Sequence, residues 1–243
     1  MTLLLINGSP RGATGNSKLL LDAFAAGVRR EDPNFAIAEV NLKSKTGLDD
    51  ALRLAQSAAD IVVAFPLYVD TMPAGVKELF EALPKQAEGE QPSRLGFVVQ
   101  SGFPESSQSF PLERYLEKLC RRLGYGYLGT VIKGGGEVIR IPPRDAPLWA
   151  KIFCLVGAHT NLGRVGYLLN RPRLEKKFIV LGERYVRTGA FDPALVERLR
   201  SLRRLGPFGF LLYRIVGERC YWAPLLKRNG ALPHRDARPF LPE

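Results

Sequence analysis

Ser9, Arg11, Asn16 and Ser17, four polar side chains able to grip an oxyanion, fall within nine residues near the start of the chain. They lie between an apolar run at residues 3–6 and the apolar residues that resume at Leu19, Leu20 and Leu21. The order strand, turn, helix leaves the unpaired N–H groups of the first helical turn facing the loop. Hydroxyls and a guanidinium can join them there around a phosphate. The loop holds neither the GxxxxGK[ST] pattern nor a GxGxxG fingerprint, which points to a mononucleotide. The structural alternative is that Asn16 or Ser17 serves only as a helix cap.

Two later segments add to this chemistry. Pro66, Leu67, Tyr68 and Val69 run on through Asp70, Thr71 and Met72 to Pro73, and Ser101, Gly102 and Phe103 are followed by Pro104 and Glu105. Backbone amides, one aromatic ring and small residues suit a flat polar heterocycle. Asp70, in a loop bounded by prolines, reads as a turn-former, so no residue is assigned as a catalytic acid or base. Cys120, Cys154 and Cys220 stand far apart with no CxxC pair, and His159 and His234 show no HxxxH or HExxH spacing. A disulfide framework, a zinc site and an intrachain iron–sulfur cluster are thereby excluded.

The elements that must carry these loops alternate. Apolar runs at 3–6, 61–65 and 95–99 are short and bounded by turn residues, as in strands buried on both faces of a parallel sheet. Residues 36–42 alternate like an edge strand, and a fifth strand covers 127–133. Helical spacing runs through 17–29, 49–58, 74–83 and 112–123. The reading is an α/β doubly wound five-stranded parallel sheet. Ligands of such sheets bind beyond the carboxyl ends of the strands where strand order reverses, so the three loops are expected to converge on one crevice.

Through Arg140 the chain carries 16 residues of each sign, so its whole excess of +11 follows that point. Helices are expected at 174–186 and 193–205, with an apolar segment at 207–216. Pro142 and Pro143 mark the expected boundary between a domain over 1–140 and a basic, mostly helical C-terminal extension over 141–243. Arg198, Arg200, Arg203 and Arg204 beside Phe208, Phe210 and Leu211 could meet nucleic acid or seat a helix on an anionic membrane. Packing on the protein's own domain or on a dimer partner is the more ordinary use of such a pattern. No basic leader precedes the first apolar run and no apolar stretch is long enough to span a bilayer, so a cytoplasmic location is expected.

Gly8-Ser9-Pro10-Arg11 with Gly15-Asn16-Ser17, Pro66-Leu67-Tyr68 with Pro73 and Lys77, and Ser101 to Glu105 resemble the signature loops of the flavodoxin-like NAD(P)H-dependent FMN reductases. The branch most similar is that of the iron–sulfur flavoproteins and their relatives that lack the cluster cysteines. The resemblance implies a flavodoxin-like sheet of order 2-1-3-4-5, FMN as cofactor and NAD(P)H as electron donor. It places Ser9, Arg11, Asn16 and Ser17 on the FMN phosphate. Pro66, Leu67, Tyr68 and Val69 would run along the isoalloxazine, with Ser101, Gly102 and Phe103 on its far side. It further implies hydride transfer from nicotinamide to FMN and on to a small-molecule electron acceptor, and a homodimer. Similarity fades after about Gly136, so 149–172 is expected to be an insertion. A flavodoxin-like electron carrier with no nicotinamide oxidation of its own, and a flavin-sensing module with a basic binding extension, are the competing expectations.

Overall fold

Five short runs of apolar residues form one sheet in which every pairing is parallel: β1 (Thr2–Asn7), β2 (Ala36–Asn41), β3 (Asp60–Pro66), β4 (Arg94–Gln100) and β5 (Gly126–Lys133). Their order is β2-β1-β3-β4-β5. The structure, a computed structural model, describes residues 2–86, 92–102, 105–134 and 171–200, with 206–207, 211, 214–215, 223–231 and 233. All seven residues of β3 are buried, as a strand covered on both faces requires, whereas β2 at the edge is only partly covered.

Side chains alternate across the sheet into two cores. On one face α2 (Gly47–Ala55), α3 (Ala74–Ala82) and α4 (Phe110–Leu123) cover Leu4, Ile6, Ile61, Val63, Phe65, Phe97 and Val99. On the other, α1 (Asn16–Glu31), α5 (Arg171–Thr188) and α6 (Pro193–Leu199) cover Leu3, Leu5, Val62, Val98 and Val131. Phe24, Tyr185 and Phe191 meet there with ring centroids 5.6 to 6.4 Å apart. Each fully buried side chain of this size stabilises the fold by about 1.5–3 kcal/mol relative to exposure.

The helix expected at 174–186 is thus a structural layer of the sheet. Its backbone lies directly on that of α1. A Cβ on Gly27 would come within 1.9 Å of the Ile179 carbonyl oxygen, and one on Gly182 within 2.2 Å of the Phe24 carbonyl oxygen. Only glycine fits at either position. The far end of α5 is fastened by a buried polar group. Asp60 is fully buried, accepts hydrogen bonds of 2.6 Å from Arg94 Nε and Nη2, and accepts another from Tyr185 Oη. Arg94 Nη1 also donates to the Gly189 carbonyl, 2.7 Å away.

One compact unit runs from Met1 to Arg204, so α5 and α6 belong with the sheet, and a second unit spans Leu205–Glu243. In that second unit a short helix covers Ala223–Arg228. Pro142 and Pro143, and the expected insertion up to residue 170, lie outside the described residues. The helix expected over 193–205 ends at Leu199, and Arg200 leaves it to hold Glu113 of α4 through two hydrogen bonds of 3.0 and 2.7 Å. The Arg200 guanidinium also lies 5.3 Å from the centre of the Phe110 ring. Arg187 pairs with Glu31 of α1 in the same two-pronged way. Several positive charges of the C-terminal half therefore neutralise acids of the sheet domain, while Arg203, Arg204, Phe208 and Phe210 lie outside the described residues. Among the described residues no helix is long and apolar enough to cross a membrane.

Candidate functional site

Strand register decides which loops meet. Gly8 N–H donates to Ala64 O, Leu67 N–H to Gln100 O and Ser101 N–H to Lys133 O, so pairing continues one step past the strands and brings their exits level. β1 and β3 are neighbours. Their following helices take opposite faces, which opens a crevice between them. Ser9, Arg11, Asn16, Pro66, Leu67, Tyr68, Gln100, Ser101 and Gly102 line a small cleft at this point. Gly8 allows the first loop to lie against α3, since a Cβ there would sit 2.2 Å from Val76 Cγ2.

The first loop is tied by its own polar groups. Asn7 Oδ1 accepts from Ser9 N–H at 3.1 Å, Asn7 Nδ2 donates to Gly12 O at 3.0 Å, and Ser9 Oγ accepts from Arg11 N–H at 3.3 Å. Gly12 turns the chain with φ of +64°. No side chain caps α1, whose first turn contains no acidic residue. Its N-terminus therefore keeps the positive end of a sixteen-residue helix for an anion. Ser17, in that first turn, is fully buried and its Oγ has no hydrogen-bond partner among the described residues. A buried hydroxyl without a partner costs about 1–3 kcal/mol, which a bound acceptor can remove. Lys18 is turned to Asp22 and Glu39, so among the described residues Arg11 is the cation that lines the cleft.

The loop after β3 makes a tight hairpin. Tyr68 N–H donates to Thr71 O at 2.9 Å and Thr71 N–H to Tyr68 O at 3.1 Å, with φ of 47° at Val69 and 64° at Asp70. Both central residues are left-handed, the geometry that Asn, Asp and Gly adopt readily. Asp70 fits the expected role of turn-former. Val69 does not: left-handed backbone costs a β-branched residue about 1–2 kcal/mol. Leu67, Tyr68 and Ser101 each commit their N–H to a backbone carbonyl. Gly102 N–H and the Gln100 carboxamide make no hydrogen bond among the described residues and are the polar groups left for a ligand.

Eight of the residues singled out in the sequence meet in the cleft: Ser9, Arg11, Asn16, Pro66, Leu67, Tyr68, Ser101 and Gly102. Ser17 lies behind them in the buried first turn of α1, and Phe103 lies outside the described residues. Val69 does not line the cleft, and its surface is 96% exposed. Gln100 is the residue that sequence reasoning missed. Its signal was its place, directly after the apolar run 95–99 and directly before Ser101. At the end of β5, burial and the charge of Lys177 push Lys133 down to about 8.

A model of the flavodoxin-like fold family matches residues 1–137. Among solved structures, an FMN-dependent NADH-azoreductase from Bacillus anthracis in complex with FMN is 16% identical, covering 75% of this chain and 98% of that chain with a TM-score of 0.49. An NADPH-quinone reductase from P. pentosaceus is 20% identical, covering 59% of this chain and 90% of that chain with a TM-score of 0.44. An NADH:FMN oxidoreductase in its apo form is 15% identical, covering 85% and 97% with a TM-score of 0.47. No curated protein gives a significant match.

Proposed function

Because the chain belongs to the flavodoxin-like fold family, we propose that its cleft binds FMN and that the protein is an NAD(P)H-dependent FMN oxidoreductase. Its acceptor would be a small molecule such as a quinone, an azo or nitro compound, or free flavin. The observation that carries this reading is the meeting of three loops at the switch point of the sheet, next to an uncapped helix whose buried Ser17 Oγ lacks a partner.

Arg11 and the N-terminal N–H groups of α1 would hold the phosphate, with hydroxyls from Ser9 and Ser17 and the Asn16 side chain. Pro66, Leu67 and Tyr68 would border the ring on one side and Ser101 and Gly102 on the other. When bound, FMN would supply the redox chemistry that links hydride donation by NAD(P)H to two-electron reduction of the acceptor. The protein's part is to bind and orient the ring and to answer the negative charge of its reduced form. Gly102 N–H and the Gln100 carboxamide are the donors suited to that task. Hydride transfer to a flavin needs no protein acid or base, and among the described residues Arg11 is the charged side chain that lines the cleft. The resemblance of the three loops to FMN reductases also leads us to propose a homodimer, which sedimentation equilibrium tests.

The experiment is an absorption spectrum of the purified protein with FMN, followed by anaerobic addition of NADPH and then NADH. Flavin bands that bleach with either nicotinamide support the oxidoreductase and identify its donor. Bands that persist with both make the protein an electron carrier, and failure to bind FMN overturns the site.

A further inference from the structure

We propose that Gln100 sets the reduction potential of the cofactor: its carboxamide makes the cleft hold reduced FMN more tightly than oxidised FMN. The proposal rests on the reading of the cleft as an FMN site and adds which redox state that site favours.

β4 breaks its own pattern at its last residue. Leu95, Phe97, Val98 and Val99 are buried and apolar, and the position after them, only 9% exposed, carries a carboxamide. Backbone pairing fixes that position from both sides. Gln100 stands opposite Pro66 of β3 and Lys133 of β5, and its carbonyl accepts from Leu67 N–H at 2.7 Å. Side chains alternate along a strand, so Gln100 shares with Val98 the face covered by α1, the helix whose N-terminus borders the cleft. Its carboxamide makes no hydrogen bond among the described residues, and unlike the Ser17 hydroxyl it is not sealed away from the cleft. A buried polar group left unmet costs about 1–3 kcal/mol, which points to a partner from outside the chain.

Electrostatics decides which redox state of the cofactor is the better partner. Hydride addition brings two electrons and one proton to the ring, so the ring gains one negative charge until it takes up a second proton. Arg11, at the phosphate, sees the same partner in both states. Near the ring, Pro66 has no N–H, and Leu67, Tyr68 and Ser101 have each committed theirs to a carbonyl. Among the described residues that line the cleft no side chain is acidic, and Gln100 brings the side-chain amide that stands beside Pro66 and Ser101. A hydrogen bond from an amide N–H to an anion is about twice as strong as one to a neutral acceptor. That gain falls on the reduced ring, and by linkage it raises the potential of bound FMN above that of free FMN.

The test uses the full chain with bound FMN, reduced slowly without oxygen at pH 7 in equilibrium with a reference dye to read the two-electron potential. Titrations with oxidised FMN accompany it. The wild type should hold FMN at a potential above that of free FMN. Gln100→Met keeps the length of the side chain and removes its N–H groups. It should bind oxidised FMN within about threefold of the wild type and lose roughly tenfold in its preference for reduced FMN, a fall of about 30 mV for a two-electron couple. Gln100→Glu should fall further, because a carboxylate repels the reduced ring. Thermal unfolding of FMN-free Gln100→Met should be no lower than that of the wild type, since an unmet polar group has been removed. A wild-type potential below that of free FMN, or a potential in Gln100→Met equal to the wild-type value, overturns the role of Gln100 while leaving the flavin site intact. A wild-type chain that does not bind FMN overturns both.

Discussion

The Asp60 network and the candidate cleft treat their polar groups in opposite ways. At the amino ends of β3 and β4, buried Asp60 is saturated by Arg94 and Tyr185, and Arg94 in turn reaches Gly189 beyond α5. At the carboxyl ends, Ser17 Oγ is buried without a partner, α1 is uncapped, and two consecutive residues of the β3 loop are left-handed. One end is closed and holds the helical layer in place. The other keeps unmet donors and local strain, as a binding site does when its ligand completes it.

Breaking the closed end should have the largest effect. Asp60→Ala leaves a guanidinium and a buried phenol without their acceptor, and should lower unfolding free energy by about 3–5 kcal/mol in a urea titration. Its FMN affinity should stay near the wild-type value, since the lesion lies at the opposite end of the strands. The reverse pattern is expected at the open end. Arg11→Ala should weaken FMN binding by roughly ten- to a hundredfold, the worth of a charge-assisted hydrogen bond of about 1.5–3 kcal/mol, with the melting temperature of the FMN-free chain unchanged.

The helix crossing sharpens the contrast, because it is closed without any polar group. Gly182→Ala places a methyl group within 2.2 Å of the Phe24 carbonyl oxygen and should cost about 1–3 kcal/mol by forcing α5 away from α1. Circular dichroism melts of the variant measure that loss.

Lys133 gives the smallest effect and one with a defined sign. Burial, with Lys177 nearby, lowers it from 10.5 to about 8, so between those values the unfolded chain holds a proton that the folded chain has released. Stability should therefore rise as pH increases above about 8, by at most about 1.4 kcal/mol per pH unit. Burial raises Cys120 from 9.0 to about 12. From pH 9 upward the folded chain then keeps a proton that the unfolded chain loses, and stability falls by the same law. The net rise should be confined to pH 8–9. Denaturant titrations across that range should show it vanish in Lys133→Met and extend toward pH 10 in Cys120→Ala.

The open end was far more legible in the sequence than the closed one. Ser9 to Ser17, Pro66 to Tyr68 and Ser101 to Gly102 sit directly after short apolar runs, so strand exits and loops could be read together. Asp60 and Tyr185 are 125 residues apart and neither carries a local sign of the other. The helix now seen at Arg171–Thr188 was visible by its spacing, but its place was not. Arg187 answers Glu31 and Gly182 fits Phe24, both distant in sequence. The left-handed backbone of Val69 and Asp70 was not legible, because a sequence does not display backbone dihedrals.

The most direct test of the contrast is a titration of the wild-type chain and of Arg11→Ala and Asp60→Ala with FMN, followed by flavin absorbance. Saturable one-to-one binding is expected, with a dissociation constant on the order of micromolar or tighter for the wild type. Binding should be weakened in Arg11→Ala and preserved in the folded fraction of Asp60→Ala. FMN that leaves the spectrum unchanged at micromolar concentration, or binds equally well to Arg11→Ala, would contradict it.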